Sequence, residues 1–237
     1  MKKILFMGGS SLLAINWSYL IKDNYKVVLG LHNRWAGYND VQSITLNFES
    51  NIKLKNQIKL INPDIIINTI ALTDIDYCEK NFQESKNINC DLASVISIIC
   101  KEIKIKYIHI STDHFFNSNT KYHKEDSKTF CVNNYAKTKL LGEQQVLKNN
   151  TNSLIIRTNF YCWGTYYRSS ITDFIINNLK KNKKINLASN IFYTPIFVKT
   201  LVEQINLLIK KNAKGIYNIA SKKRITKYEF GLKIAKK

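Results

Sequence analysis

The sequence predicts an α/β fold built on a doubly wound parallel sheet, on three observations. Short apolar runs alternate with helical patterns through most of the 237 residues, the order of repeated strand–helix–strand units. The runs are continuous rather than alternating, as in strands buried on both faces. A glycine-bearing turn, Gly8-Gly9-Ser10-Ser11, joins the first run to the first helical pattern, and such turns lie at the ligand-binding edge of open sheets. A chain of this length buries a full core, as one large domain or one domain with a small lobe.

In chain order, apolar runs of four to six residues place strands at 3–7, 26–31, 43–46, 64–69, 106–111, 153–157, 184–187 and 216–219. Between them, spacings of three and four place helices at 12–22, 53–61, 85–102, 134–148, 171–179, 197–210 and 227–235. Pro63 falls just before a strand and Pro195 at a helix start, where the missing N–H is tolerated. Thr226-Lys-Tyr-Glu229 reads as a capping box opening the last helix. No internal repeat or low-complexity linker interrupts the pattern.

Composition narrows the function classes. The hydrophobic fraction of 45%, with 13 Tyr and 11 Phe, fits a packed globule and argues against disorder. The net charge of +19 raises the question of nucleic acid. The basic residues are 32 Lys and only 4 Arg, spread along the chain, whereas specific phosphate and base recognition favours the arginine fork. The excess therefore reads as compositional bias, with a basic surface able to draw in anionic substrates; no nucleic-acid partner is expected.

Five cysteines, odd in number and without C-x-x-C spacing, read as reduced thiols, and four histidines form no metal-spaced cluster. No metal is expected. The opening Met1-Lys-Lys-Ile-Leu-Phe-Met superficially resembles a signal peptide, but Gly8-Gly9 breaks the run and no export-type cleavage pattern follows. No stretch reaches membrane-spanning length. A cytoplasmic protein without a membrane partner is the expectation.

Tyr135-Ala-Lys-Thr-Lys139 follows the 106–111 strand by about two dozen residues. A tyrosine and a lysine four apart share one helix face, where the ammonium can hold the phenol near its deprotonation point, as a proton donor to an alkoxide requires. A Ser or Thr at the preceding strand end, Ser111 or Thr112, could bond the same oxygen. Gly8 begins a turn that can cradle a phosphate, with Ser11 at the second glycine position and Ala14 at the third, and a plain strand–turn–helix fits the same residues equally well. After the second strand come His32, Asn33 and Arg34, with no acidic residue. An acid there would bind the NAD ribose, whereas arginine accommodates a 2′-phosphate, so NADP(H) is expected over NAD(H). Asp74, Asp76 and Glu79 follow the fourth strand and read as loop-ordering acids.

Gly8-x-x-Ser11, Asn68-Thr-Ile-Ala71-Leu-Thr73, Ile88-Asn89, Ile110-Ser-Thr-Asp113, Asn134-Tyr-Ala-Lys-Thr-Lys-Leu-Leu-Gly-Glu143, Ile156-Arg157-Thr158, Tyr193-Thr-Pro195 and Gly215-Ile-Tyr-Asn218 fall in a familiar order. Together they resemble the extended short-chain dehydrogenase/reductases, most closely the dTDP-4-dehydrorhamnose reductase branch, over nearly the whole chain. The resemblance implies a Rossmann domain over 1–160, completed by 196–220, and a partial substrate-binding lobe from 161–195 and 221–237. That lobe is expected to be truncated, because the family continues several tens of residues past Lys237.

The resemblance also implies roles. Tyr135 matches the proton donor, Thr112 the Ser/Thr that polarises the carbonyl, and Lys139 the residue that bonds the nicotinamide ribose and lowers the tyrosine pKa. Gly8, Ser10, Ser11, Leu12, His32, Asn33, Arg34, Asn47, Phe48, Thr69, Ile70 and Ala71 complete the implied cofactor set. Thr73, Asp74, Asp113, His114, Arg157, Asn159 and Arg168 are implied at the substrate, with Arg157, Arg168 and Lys199 as diphosphate contacts. Asn89 matches a helix asparagine that organises water or backbone, and His114 replaces the branch's usual tyrosine, a packing swap.

The implied reaction is NADPH-dependent reduction of the C4 ketone of a nucleotide-linked deoxysugar for surface polysaccharide, with a homodimer as a candidate assembly. A nucleotide-sugar epimerase or dehydratase is an alternative, as is a non-catalytic regulatory subunit such as the one that serves methionine adenosyltransferase.

Overall fold

The computed structural model describes residues 1–38, 40–116 and 122–236; Lys237, the end of the expected lobe, lies outside them. Seven strands form one parallel sheet: β1 (Lys3–Met7), β2 (Lys26–Leu31), β3 (Gln42–Thr45), β4 (Ile65–Asn68), β5 (Lys106–Thr112), β6 (Leu154–Thr158) and, after three two-residue strands, β10 (Gly215–Ile219). Their spatial order is β10-β6-β5-β4-β1-β2-β3. The chain winds outward from β1 to β3, then crosses back to β4 and winds the other way. The reversal lies between β1 and β4, where such sheets open a ligand crevice at their carboxyl ends.

Both faces of the sheet's central strands are buried, which explains their unbroken apolar runs. Ile4 and Phe6 pack into one core with Leu13 and Trp17 of α1 (Leu12–Ile21) and with Leu201 and Ile205 of a later helix. Leu5 and Met7 point the other way, against Leu54 and Ile58 of α2 (Asn51–Ile61). Successive strand residues alternate faces, and β1 needs apolar residues on both. Ile4, Leu5, Phe6 and Met7 are all fully buried, each contributing roughly 1.5–3 kcal/mol relative to exposure.

After β4 the chain forms α3 (Ile75–Lys80), α4 (Phe82–Lys86), a π-helical turn (Asn87–Asp91) and α5 (Leu92–Glu102). The single helix expected over 85–102 is thus interrupted, because one π turn inserts an extra residue into the ladder. The inserted turn carries Asn89 inward. Its Oδ1 accepts from Leu72 N at 2.8 Å, while its Nδ2 donates to Leu72 O at 3.0 Å and Thr138 Oγ1 at 3.1 Å. The missed helix α3 starts at Asp74, whose carboxylate caps it by accepting from Tyr77 N at 2.9 Å.

The long helix α6 (Asn134–Asn149) packs on this assembly through Gly142. A Cβ at Gly142 would collide with the Asn89 carbonyl oxygen. Gly142→Ala is therefore expected to destabilise the protein by about 1–3 kcal/mol, read as a lower urea midpoint with unchanged slope.

The remaining elements are β7 (Phe160–Tyr161), α7 (Ile171–Lys180), β8 (Phe192–Tyr193), β9 (Ile196–Phe197), α8 (Val198–Lys210), β11 (Ile225–Thr226) and α9 (Lys227–Ala235). β7 pairs with β9 and β8 with β11 in small separate sheets. The capping box expected at Thr226 is present, with Glu229 Oε2 accepting from Thr226 N at 2.7 Å. The strand expected at 184–187 does not form: Lys183 and Lys184 are exposed, and among the described residues no strand pairs with this run. Leu187 instead packs against Gly231 of α9. Pro195 sits between β8 and β9 rather than at a helix start, because Val198 opens α8 three residues later.

Candidate active site

The site is built on the carboxyl ends of β1, β4 and β5. At the end of β1, Gly8 takes φ +79°, a conformation open to glycine at no steric cost. A Cβ there would also press on Ile70 Cγ1 at 2.9 Å. Ser11, which stands where a glycine was expected, has work of its own. Its hydroxyl caps α1 by accepting from Ala14 N at 3.1 Å and donates to Thr69 Oγ1 at 2.9 Å. Thr69 in turn reaches Met7 O at 2.9 Å, so β1, β4 and the turn lock together. The amides of Leu12 and Leu13 begin the helix with no acceptor earlier in it, and α1 has no acidic residue in its first turn. That terminus can hold an anion.

The other implied cofactor residues gather around the same turn in part. Arg34 is exposed, and its guanidinium lies over the Tyr167 ring at 5.4 Å. The Tyr167 hydroxyl donates to Ser10 O at 2.9 Å, so the arginine is held beside the turn by a residue that sequence reasoning missed. His32 meets Phe48 edge to face at 5.5 Å, and Asn33 is exposed beside it. Asn47 is turned into its own loop, where its Oδ1 accepts from Glu49 N at 3.1 Å and Ser50 N at 3.0 Å. Leu12, Ile70 and Ala71 are half-buried around the turn.

Thr112, Tyr135 and Lys139 come together between β5 and α6. Asn133 caps α6, its Oδ1 accepting from Ala136 N at 2.8 Å. Glu79 Oε1 also accepts from Asn134 N at 2.6 Å, so a carboxylate sits at the positive end of the helix and fixes the pose of Tyr135. The Thr112 hydroxyl acts on the Tyr135 phenol from the end of β5. Burial pushes that phenol up to about 12, against the pull of the Thr112 hydroxyl. The expectation that Lys139 lowers it is not met in the protein alone. Lys139 is buried, and its Nζ donates to Ile110 O at 2.7 Å instead. Burial lowers Lys139 to about 8, opposed by the charge of Glu143.

Of the implied substrate residues, Asp113, His114 and Asn159 share this neighbourhood. His114 meets the Tyr135 ring edge to face at 5.6 Å. Asn159 Nδ2 donates to Asp113 Oδ1 at 3.3 Å. Burial raises the Asp113 carboxyl, while His114, Asn159 and Thr194 pull it down. Thr73 and Asp74 are exposed, and Asp74 is the cap of α3. Arg168 is exposed on a turn it closes with Thr165, and Lys199 is exposed on α8.

Arg157 is a correction. Its side chain is 4% exposed and its Nε and Nη2 donate to the Glu143 carboxylate at 2.7–3.0 Å. Nη1 donates to Glu125 O at 3.1 Å. Phe115 and Phe116 lie against the guanidinium, at 5.3 and 5.6 Å. An arginine so buried and paired is not open to a diphosphate.

The model of the family described as RmlD substrate binding domain matches residues 1–237. The spore coat polysaccharide biosynthesis protein SpsK of Bacillus subtilis is 26% identical over 99% of this chain and 78% of its own. The methionine adenosyltransferase 2 subunit beta of Xenopus laevis is 25% identical over 99% of this chain and 71% of its own. A solved structure, a hypothetical dTDP-4-dehydrorhamnose reductase from Sulfolobus tokodaii, superposes with TM-score 0.85 at 29% identity, covering 99% of this chain and 81% of that one. Among the described residues no helix is long and apolar enough to cross a membrane. The chain belongs to the RmlD substrate binding domain family, within the extended short-chain dehydrogenase/reductases.

Proposed function

We propose that this chain reduces the C4 keto group of a nucleotide-linked deoxysugar, with NADPH as the hydride source, in making sugars for surface polysaccharide. The observation that carries the reading is the Tyr135 phenol within the influence of Thr112 at the end of β5, with buried Lys139 one helical turn away. The residues fit the cofactor. The Gly8 turn is kept open by a missing Cβ, the α1 N-terminus is free of acidic side chains, and Arg34 stands beside both.

A nicotinamide held by these residues would supply a hydride. Thr112 and Tyr135 both present hydroxyls to the carbonyl oxygen, and the charge growing there is stabilised by donors already in place. Tyr135 then transfers its proton to that oxygen. A phenol held up to about 12 stays protonated at neutral pH, as a general acid must. Lys139, lowered to about 8, can return a proton to the phenolate.

Arg34 gives the reading its first test. A guanidinium paired with a 2′-phosphate contributes a charge-assisted bond that NADH cannot make. Arg34→Ala is expected to weaken NADPH binding about 10–100-fold and leave NADH binding nearly unchanged, followed by nicotinamide fluorescence. Equal losses for both would remove the 2′-phosphate role.

A non-catalytic role as an enzyme subunit is the second reading, favoured by the likeness to the methionine adenosyltransferase subunit. Turnover of a 4-keto sugar nucleotide supports the first reading; cofactor binding without turnover supports the second.

A further inference from the structure

Behind the Tyr135 face lies a buried chain of polar groups in which every hydrogen can be placed. Asn68 Oδ1 accepts from Ile70 N at 3.0 Å, and a backbone N–H only donates, so the orientation of this amide is fixed. Its Nδ2 therefore presents two hydrogens, one to Tyr107 Oη at 3.0 Å and one to His109 Nδ1 at 3.3 Å. Tyr107 passes its own hydrogen to Ala93 O at 3.3 Å. An amide nitrogen offers no lone pair, so His109 Nδ1 must be the acceptor. The proton of the neutral ring is then on Nε2, and Nε2 lies 3.4 Å from Lys139 Nζ.

We propose that His109 is a positioning residue for Lys139: locked by Asn68 as the Nε2–H tautomer, it donates to the lysine nitrogen and favours the free amine over the ammonium. An ammonium has three hydrogens and no lone pair, so it cannot accept this bond, whereas an amine can. The ring itself is fully buried, and burial together with Lys139 holds it well below the usual imidazole range, hence neutral.

Burial acts on Lys139 in the same direction as His109, and the charge of Glu143 opposes both. The other buried or half-buried ionisable groups on and beside α6 include Tyr135 on the helix, Tyr107 on β5, Cys90 on the π turn and Cys78 on α3, with Asp113 just past β5, while Lys137, Lys148 and Glu79 lie toward solvent. Asp113 and Cys78 act on Tyr135, and the Glu143 carboxylate is held by Arg157. The consequence is a lysine that takes up and gives back a proton near neutrality. That last step rests on the reductase reading; the tautomer does not.

Nitrogen-15 NMR of histidine-labelled protein tests the tautomer directly. The chain has four histidines, and His109→Phe assigns the signal. Between about pH 6 and about pH 9, His109 is expected to remain neutral with its proton on Nε2. Its ring shifts should follow a titration near pH 8 that disappears in Lys139→Met. A proton on Nδ1, or an imidazolium in that range, overturns the proposal.

In turnover, His109→Phe should move the alkaline fall of kcat upward by about one pH unit. His109→Gln, whose amide can both accept from Asn68 and donate to Lys139, should restore it. A lower kcat with the limb unmoved would make His109 mere packing and overturn the proposal. The tautomer confirmed in a protein that reduces no sugar would instead sink the reductase reading alone.

Discussion

Tyr135→Phe is expected to lower kcat for sugar-nucleotide reduction by about 10²–10⁴-fold, about 3–5 kcal/mol of barrier, with KM little changed. The ring keeps its edge contact with His114, and Ala136 and Thr138 still bury the helix face. Only the hydroxyl is lost, and with it the proton that neutralises the alkoxide. Steady-state kinetics with NADPH and a 4-keto sugar nucleotide reads the loss, and nicotinamide fluorescence checks that the cofactor still binds. A variant keeping more than about a tenth of the rate would show that another acid supplies the proton. The pH profile adds a second reading. A phenol held up to about 12 gives no limb near neutrality, so the fall expected above about pH 8 belongs to Lys139 and should not be attributed to the tyrosine.

The residues legible in the sequence are those whose partners are near in the chain or fixed by sheet topology. Tyr135 and Lys139 share a helix face by spacing alone, and a strand ending in Thr112 must deliver that residue to the carboxyl edge, where Tyr135 also stands. The parallel sheet was legible for the same reason, since strands such as Ile65–Asn68 are buried on both faces and cannot alternate. Other features depend on distant pairings that no local pattern encodes. Tyr167 finds Ser10 across 157 positions, and its own neighbours suggest only a surface loop. His109 reads as one more residue of an apolar strand until Asn68 and Lys139 are placed around it. The π turn is invisible to a helical period because it adds one residue without changing the kind of residue. The 184–187 run failed for the opposite reason: its local pattern suited a strand, but the fold brought no partner to its edge.

Arg157→Ala is expected to cost about 3–5 kcal/mol of stability, because it leaves the Glu143 carboxylate buried and unpaired. Glu143 and Arg157 have side chains only 2% and 4% exposed, so water cannot compensate either charge. The arginine also anchors the segment around Glu125: Nη1 holds Glu125 O, Glu125 Oε1 accepts from Asn218 N at 2.8 Å, and Asn218 Nδ2 reaches His123 O at 3.1 Å. Loss of Arg157 should therefore loosen the edge strand β10 as well as the α6–β6 contact. Urea denaturation measures the cost. The joint replacement Arg157→Met with Glu143→Leu discriminates between the two roles this residue has been given. Removing both charges at similar volume should recover most of the lost stability, and the double variant should bind a sugar nucleotide as the parent does. A variant that regains stability but loses substrate affinity would return Arg157 to the diphosphate. The burial and bidentate geometry favour the first outcome, since the guanidinium edge that would meet a phosphate is already filled by Glu143.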